Sequence, residues 1–330
     1  MILDHIYRQV SCDPFWRPTA RGPARYNLWS WYTCKARCFE VACPALKYQL
    51  QGTHLKGDNR MGEARTKTQR TAELHPHCIF CGGKNPTSTT EHCPPRAMFR
   101  GRVWPEGFEF PACGQCNSGS SDDDLISSWL SYLGPNTQGE ELKQGKGLMF
   151  QVGRQRRQLL QSMFNLSVTE RRQKARDLGW TPAVGETYND FPGVKVPPEV
   201  HAAVRVFAGK LTKALFWMHT GSIFPSDGGI LFHWFTNANL LKDGRIPALE
   251  GFSQFSPHDV PLRRGGKDLT DQLDIRFLAD STAGLALTMA AFRRAFGFVT
   301  VGYVAPGAAA KTMSAVQAET GREHGAFELL

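Results

Sequence analysis

No apolar run in this 330-residue chain reaches the roughly 18 residues that a membrane-spanning helix needs. The N-terminus also lacks the apolar core of a secretory signal, so a soluble, unexported, cytoplasmic protein is expected. No cysteine follows Cys116: the nine are Cys12, Cys34, Cys38, Cys43, Cys78, Cys81, Cys93, Cys113 and Cys116. An odd, one-sided set argues against a disulfide framework and for metal ligation in a reducing compartment. There is no internal repeat. Acids are the scarcer charge, 30 against 39 Lys and Arg, and the resulting +9 suits a polyanionic partner without naming one. Single cores stop growing at about 250–300 residues, so two modest domains are expected.

Residues 1–60 carry Trp, Cys and Pro at no period of strand or helix, which reads as a disordered basic arm or a non-native N-terminal extension. Met61 opens an ordinary cytosolic start, and translation is expected to begin there. Cys34, Cys38 and Cys43 lack a paired Cys-x2-Cys, so a random cysteine-rich arm is favoured over a second metal cluster.

The pattern sharpens over residues 73–135. TSTTEH (87–92) and GFEFPA (107–112) have the composition and the bounding turn residues of short strands. Ser121, followed by Asp122 to Asp124, reads as the N-cap of a helix that buries Leu125, Ile126, Trp129, Leu130 and Leu133 and stops at Gly134-Pro135. Asp123 is a weak candidate for a metal-site role.

Two Cys-x2-Cys pairs, Cys78/Cys81 and Cys113/Cys116, frame this stretch. Each pair can grip one cation from a tight knuckle, with Gly82-Gly83 and Gly114 supplying the turns. Four thiolates imply tetrahedral zinc with no open position, hence a structural zinc. Either His75 or His77, beside the first knuckle, could stand in for a cysteine, although both read as surface residues.

Between the knuckles lie Glu91-His92, and Asn117 follows the last cysteine. Adjacent strand residues face opposite ways, so the two side chains meet at one point only if the strand is irregular there. The turn into Cys93-Pro94-Pro95 is expected to supply that irregularity. A carboxylate, an amide oxygen and an imidazole would then form a hard-metal site beside a general base.

The run C-I-F-C, T-E-H-C-P-P-R, Phe99, P-A-C-G-Q-C-N and S-x-D-D resembles the HNH endonuclease family, the His-Me finger or ββα-metal nucleases. The resemblance covers about residues 75–135, with weaker similarity over 199–221. It implies a metal-dependent endonuclease with His92 as general base, Glu91 and Asn117 on one Mg²⁺ or Mn²⁺, and Cys78, Cys81, Cys113 and Cys116 on structural zinc. It further implies nucleic acid, DNA before RNA, as partner, with Arg96 contacting phosphate. Residues 93–116 contain no Asn, where such proteins usually carry one that steadies the loop orienting the histidine. The rival reading is a non-catalytic zinc ribbon that binds nucleic acid or protein.

Residues 139–180 read as a basic helical segment holding Arg154, Arg156, Arg157, Arg171, Arg172, Lys174 and Arg176, either a nucleic-acid track or a solvated face. Pro197-Pro198 starts a helix whose Val200, Val204, Phe207, Leu211, Leu215 and Met218 form one stripe. GILFHWFTN, LDIRFLAD, LALTMAAF and FGFVTVGY read as strands. The fold class is therefore α+β: a zinc-stapled ββα module, then a helix-on-antiparallel-sheet domain over 197–305, with a flexible Ala/Gly-rich tail at 306–330.

Overall fold

A computed structural model of the protein describes residues 60–134, 137–191, 193–238, 258–280, 283–320 and 327–330. The expectations for residues 1–59 lie outside the described residues. Met61 falls within the helix α1, Arg60–Leu74.

Two four-residue strands, β1 (Thr89–His92) and β2 (Glu109–Ala112), pair antiparallel, with Glu91 opposite Phe110 and His92 opposite Glu109. They are followed by a short helix α2 (Gly114–Ser118) and by α3 (Ser121–Leu130). The N-cap of α3 is Ser120, not Ser121, and its hydroxyl bonds no free helix N–H. It reaches the carboxylate of Asp124 instead, at 3.1 Å, while the Ser121 hydroxyl donates back to the Ser118 carbonyl. The expected cap is displaced because that carboxylate is engaged elsewhere.

The basic segment is three helices, α4 (Gly139–Gln155), α5 (Arg157–Phe164) and α6 (Val168–Asp177). Not all of its cations are without a protein partner. Arg156 pairs with Asp122, and Arg171 donates to the carbonyls of Phe164, Asn189 and Phe191. Arg154, Arg157, Arg172 and Arg176 are exposed.

The 23-residue helix α7 (Pro198–Thr220) has Pro at its start, where the missing N–H costs nothing, and Gly221 in the left-handed conformation at its end. It lies on a six-stranded antiparallel sheet. In chain order the strands are β3 (Gly229–Thr236), β4 (His258–Asp259), β7 (Leu273–Asp280), β8 (Leu285–Phe292), β9 (Phe296–Tyr303) and β10 (Glu328–Leu329), where β5 (Arg263–Arg264) and β6 (Lys267–Asp268) form a separate hairpin. The spatial order is β10-β3-β9-β8-β7-β4.

The two expected domains share one core. Cys78, Phe99, Phe110 and Trp129 of the small module belong to the same buried cluster as Val204, Phe207, Leu211 and Phe298. The reason is α3, whose buried Ile126, Trp129 and Leu130 pack against α7. The described residues of the tail are likewise packed: α8 (Ala308–Thr320) buries Ala309, Thr312 and Val316 on the other face of the sheet, and β10 pairs with β3. Its alanines are strong helix formers, and their small side chains let the helix sit close to β3. Both faces of β9 are thereby covered and every residue of that strand is buried.

Truncation after Gly307 should consequently expose the second core. It is expected to lower the melting temperature by at least about 5 °C, whereas removal of a flexible tail would leave it unchanged; calorimetry on both chains decides.

Candidate metal centre and histidine face

The first knuckle is a turn in which Gly82 and Gly83 take positive φ, 68° and 78°, and the Gly83 N–H donates to the Cys78 carbonyl at 3.0 Å. Gly82 is also a close approach: a Cβ there would stand 2.5 Å from the Ser226 backbone nitrogen. The second knuckle is a helix start. Cys113 is the N-cap of α2, and its sulfur accepts from the Cys116 N–H at 3.4 Å and from Asn85 Nδ2 at 3.7 Å. The four sulfurs of Cys78, Cys81, Cys113 and Cys116 lie within 4.8 Å of one another. Tetrahedral zinc with bonds of about 2.3 Å needs sulfurs roughly 3.8 Å apart, so the donor set fits that ion. His75 and His77 stay outside the cluster.

Burial opposes the Cys113 thiolate, but the Cys116 N–H and the neighbouring sulfurs and amide outweigh it and bring the thiol down to about 7. Lys213, largely buried beside the knuckles, donates to the Phe80 carbonyl at 3.0 Å. Burial lowers its pKa, and the Cys116, Cys81 and Cys78 sulfurs pull the other way.

Hydrogen bonding fixes which way the ribbon faces. The Ala112 carbonyl accepts from Ser88 N–H across the ribbon at 3.0 Å, whereas the Pro111 carbonyl turns outward to Ile79 N–H at 3.2 Å. Thr90 and Pro111 are therefore a non-hydrogen-bonded pair, and by alternation so are His92 and Glu109, the class in which side chains stand closest. β1 stays regular through His92, and the irregularity falls after it, at Cys93. Glu91 and His92 accordingly face opposite sides.

On the inner side Glu91 is 4% exposed. Its Oε1 accepts from Lys210 Nζ of α7 at 2.7 Å; the same ammonium donates to Ser120 Oγ at 2.7 Å and Asp124 Oδ2 at 2.9 Å. Two carboxylates share one cation. Burial pushes Glu91 up to about 7 against the pull of Lys210, while Lys210, also disfavoured by burial, is held charged by Asp124 and Glu91. Asn117 approaches the open edge of β1, donating its Nδ2 to Thr89 Oγ1 at 2.9 Å and Thr90 O at 3.4 Å. The oxygen donors expected for Mg²⁺ or Mn²⁺ do not fit one ion here, because an ammonium already holds the Glu91 carboxylate.

On the outer side His92 is a quarter exposed, with Nε2 3.7 Å from Glu109 Oε1. Glu109 also pairs with Lys67 of α1. The nearby His92 imidazole, assisted by Lys67 and opposed by burial, holds Glu109 down to about 2. The His92 ring meets Trp104 edge-on at 4.9 Å. Two guanidiniums lie over the same indole, Arg96 at 4.9 Å and Arg264 of the β5–β6 hairpin at 3.9 Å. Arg264 is anchored by donating Nε to the Trp104 carbonyl. Among the described residues no carboxylate pairs with Arg96.

Lys210, Glu109, Trp104 and Arg264 escaped the sequence reading. Lys210 had a signal: it lies three residues after Phe207 and one before Leu211, inside the apolar stripe of α7, where an unpaired ammonium would be costly. Glu109 had none, since only the register across the intervening loop sets it opposite His92.

Comparison with protein-family models, with curated proteins and with solved structures returned no match. Among the described residues no helix is long and apolar enough to cross a membrane.

Cys113→Ser should lose stoichiometric zinc and destabilise the ribbon, because two four-residue strands depend on the cysteine cluster to hold their loops together; a variant as stable as the parent refutes the staple. Gly82→Ala is expected to destabilise through the Ser226 clash and the positive φ, with zinc retention on heating as the readout. The Glu109 carboxyl is depressed by folding, so its contribution to stability is present above its ordinary value of 4.5 and fades as pH falls toward about 2. Glu109→Gln should thus be less stable than the parent near neutrality, with the gap closing in acid, as denaturant titrations at a series of pH values will show.

Proposed function

We propose that the protein is a nucleic-acid phosphodiesterase of HNH type, an endonuclease whose working face is the outer side of the zinc-stapled ribbon. The observation that supports this reading is the grouping of His92, Arg96 and Arg264 around Trp104, with Glu109 behind the imidazole.

Phosphodiester hydrolysis needs an activated water and positive charge on the phosphate. His92 is the base that takes the proton of the attacking water, an effect typically worth about 10²–10⁴-fold. Glu109 holds the ring in place, filling the orienting role for which residues 93–116 offer no Asn. Arg96 and Arg264 bind the phosphate oxygens through planar forks kept in place by the indole. The hairpin carrying Arg264 adds the exposed Arg263 and Lys267, and the net charge of +9 favours a polyanion. The divalent ion that the family resemblance implies has no fitting ligand set, so no step is assigned to it. Zinc, when bound by the four cysteines, supplies rigidity alone.

The Glu91–Lys210 pair favours a second reading, a ribbon that binds nucleic acid without cutting it, since it occupies the carboxylate that metal-assisted cleavage would use.

Plasmid nicking, run with and without Mg²⁺, separates the two. The parent should nick and His92→Ala should not, with zinc content and folding unchanged. Glu109→Gln should lose about 10²-fold in kcat with little change in KM, as expected for a displaced base. Equal cutting by His92→Ala refutes the assignment. Salt-sensitive DNA binding without cutting, weakened by Arg264→Ala, establishes the second reading.

A further inference from the structure

The inner face of the ribbon holds an oxygen cage built by three parts of the chain. Glu91 comes from β1, Ser120 from the cap of α3 and Asp124 from its first turn, at 2.7, 2.7 and 2.9 Å from one ammonium. Phe80 of the first knuckle lies 5.7 Å from that ammonium by its ring centre. The cage is closed to solvent: Lys210 is 8% exposed and Glu91 4%. Asp124 Oδ1 is buried with no hydrogen-bond partner, so the cage retains acceptor capacity that one ammonium does not fill. Carboxylate and hydroxyl oxygens are hard donors of the kind that Mg²⁺ and Mn²⁺ select.

We propose that Lys210 is the resident cation of this cage, carried in on α7, and that its ammonium keeps divalent ions out of a site whose donors would otherwise bind one. Two carboxylates and a hydroxyl on rigid elements offer the hard oxygen donors a divalent ion takes; the lysine supplies one positive charge on a tether and takes the position at which all three donors converge. The exclusion is electrostatic and steric together, since a divalent ion would have to expel a buried charge that has no other partner among the described residues. This inference does not depend on the nuclease reading and concerns the face opposite His92.

The test is Mn²⁺ titration of the zinc-loaded full chain, following free Mn²⁺ by electron paramagnetic resonance, with no nucleic acid present. The parent should show no saturable site that depends on Glu91. Lys210→Ala should gain one Mn²⁺ per chain, with affinity roughly tenfold or more above any binding by the parent, and Lys210→Ala/Glu91→Gln should lose it. Saturable binding by the parent that Glu91→Gln abolishes overturns the proposal, as does a folded, zinc-loaded Lys210→Ala that gains nothing. Where Lys210→Ala is unfolded without metal, recovery of its circular dichroism on adding Mn²⁺ supports the cage, and failure to recover overturns it.

Discussion

Two strands of four residues cannot hold themselves together in water, and the small module rests on four sulfurs converging from loops 31 residues apart. The first knuckle lines the outer edge of β2 through the Ile79–Pro111 bond, while the second starts α2, which brings Asn117 to the outer edge of β1. Both edges are covered by chain that the four-cysteine cluster positions. The direction of α3 follows, and with it the meeting of Asp124 and Lys210.

The module is also tied from outside. Gln144 of α4 donates to the carbonyls of Ala97 and Phe99, and Gln272 accepts from the Arg100 N–H at 2.6 Å. Arg293, in the β8–β9 turn, joins Glu141, Ser131 and Tyr132. These bonds order the long connection between β1 and β2, so the loop presenting Arg96 and Trp104 is set by the sheet as much as by its own sequence. The outer face is in this sense a product of both halves of the chain, which is why a division into two independent domains fails.

Much of the scaffold was legible in the sequence because its signals are local. Paired cysteines two residues apart specify knuckles, Pro198 and Gly221 bracket α7, and the short apolar runs GILFHWFTN, LDIRFLAD, LALTMAAF and FGFVTVGY read as the long strands. Long-range facts were not legible. The sequence reading brought Glu91, His92 and Asn117 to one point, but a strand that stays regular to its last residue keeps neighbours on opposite faces. Lys210 meets Glu91 across 119 positions of sequence, a distance at which periodicity says nothing. The tail misled through composition, since alanine and glycine suggest looseness until a sheet face is available to bury the alanines.

Pro111 has a consequence for the tolerance of the ribbon to change. Having no N–H, it is accommodated in β2 only at a position turned away from β1, where it now stands. Slipping β2 by one place would turn it toward β1, while slipping β1 instead would send the imidazole to the protein interior and the Glu91 carboxylate to solvent. The proline thus acts as a peg: insertions or deletions between the strands change the length of the loop but cannot re-register the pair without losing a ladder bond or stranding a buried lysine.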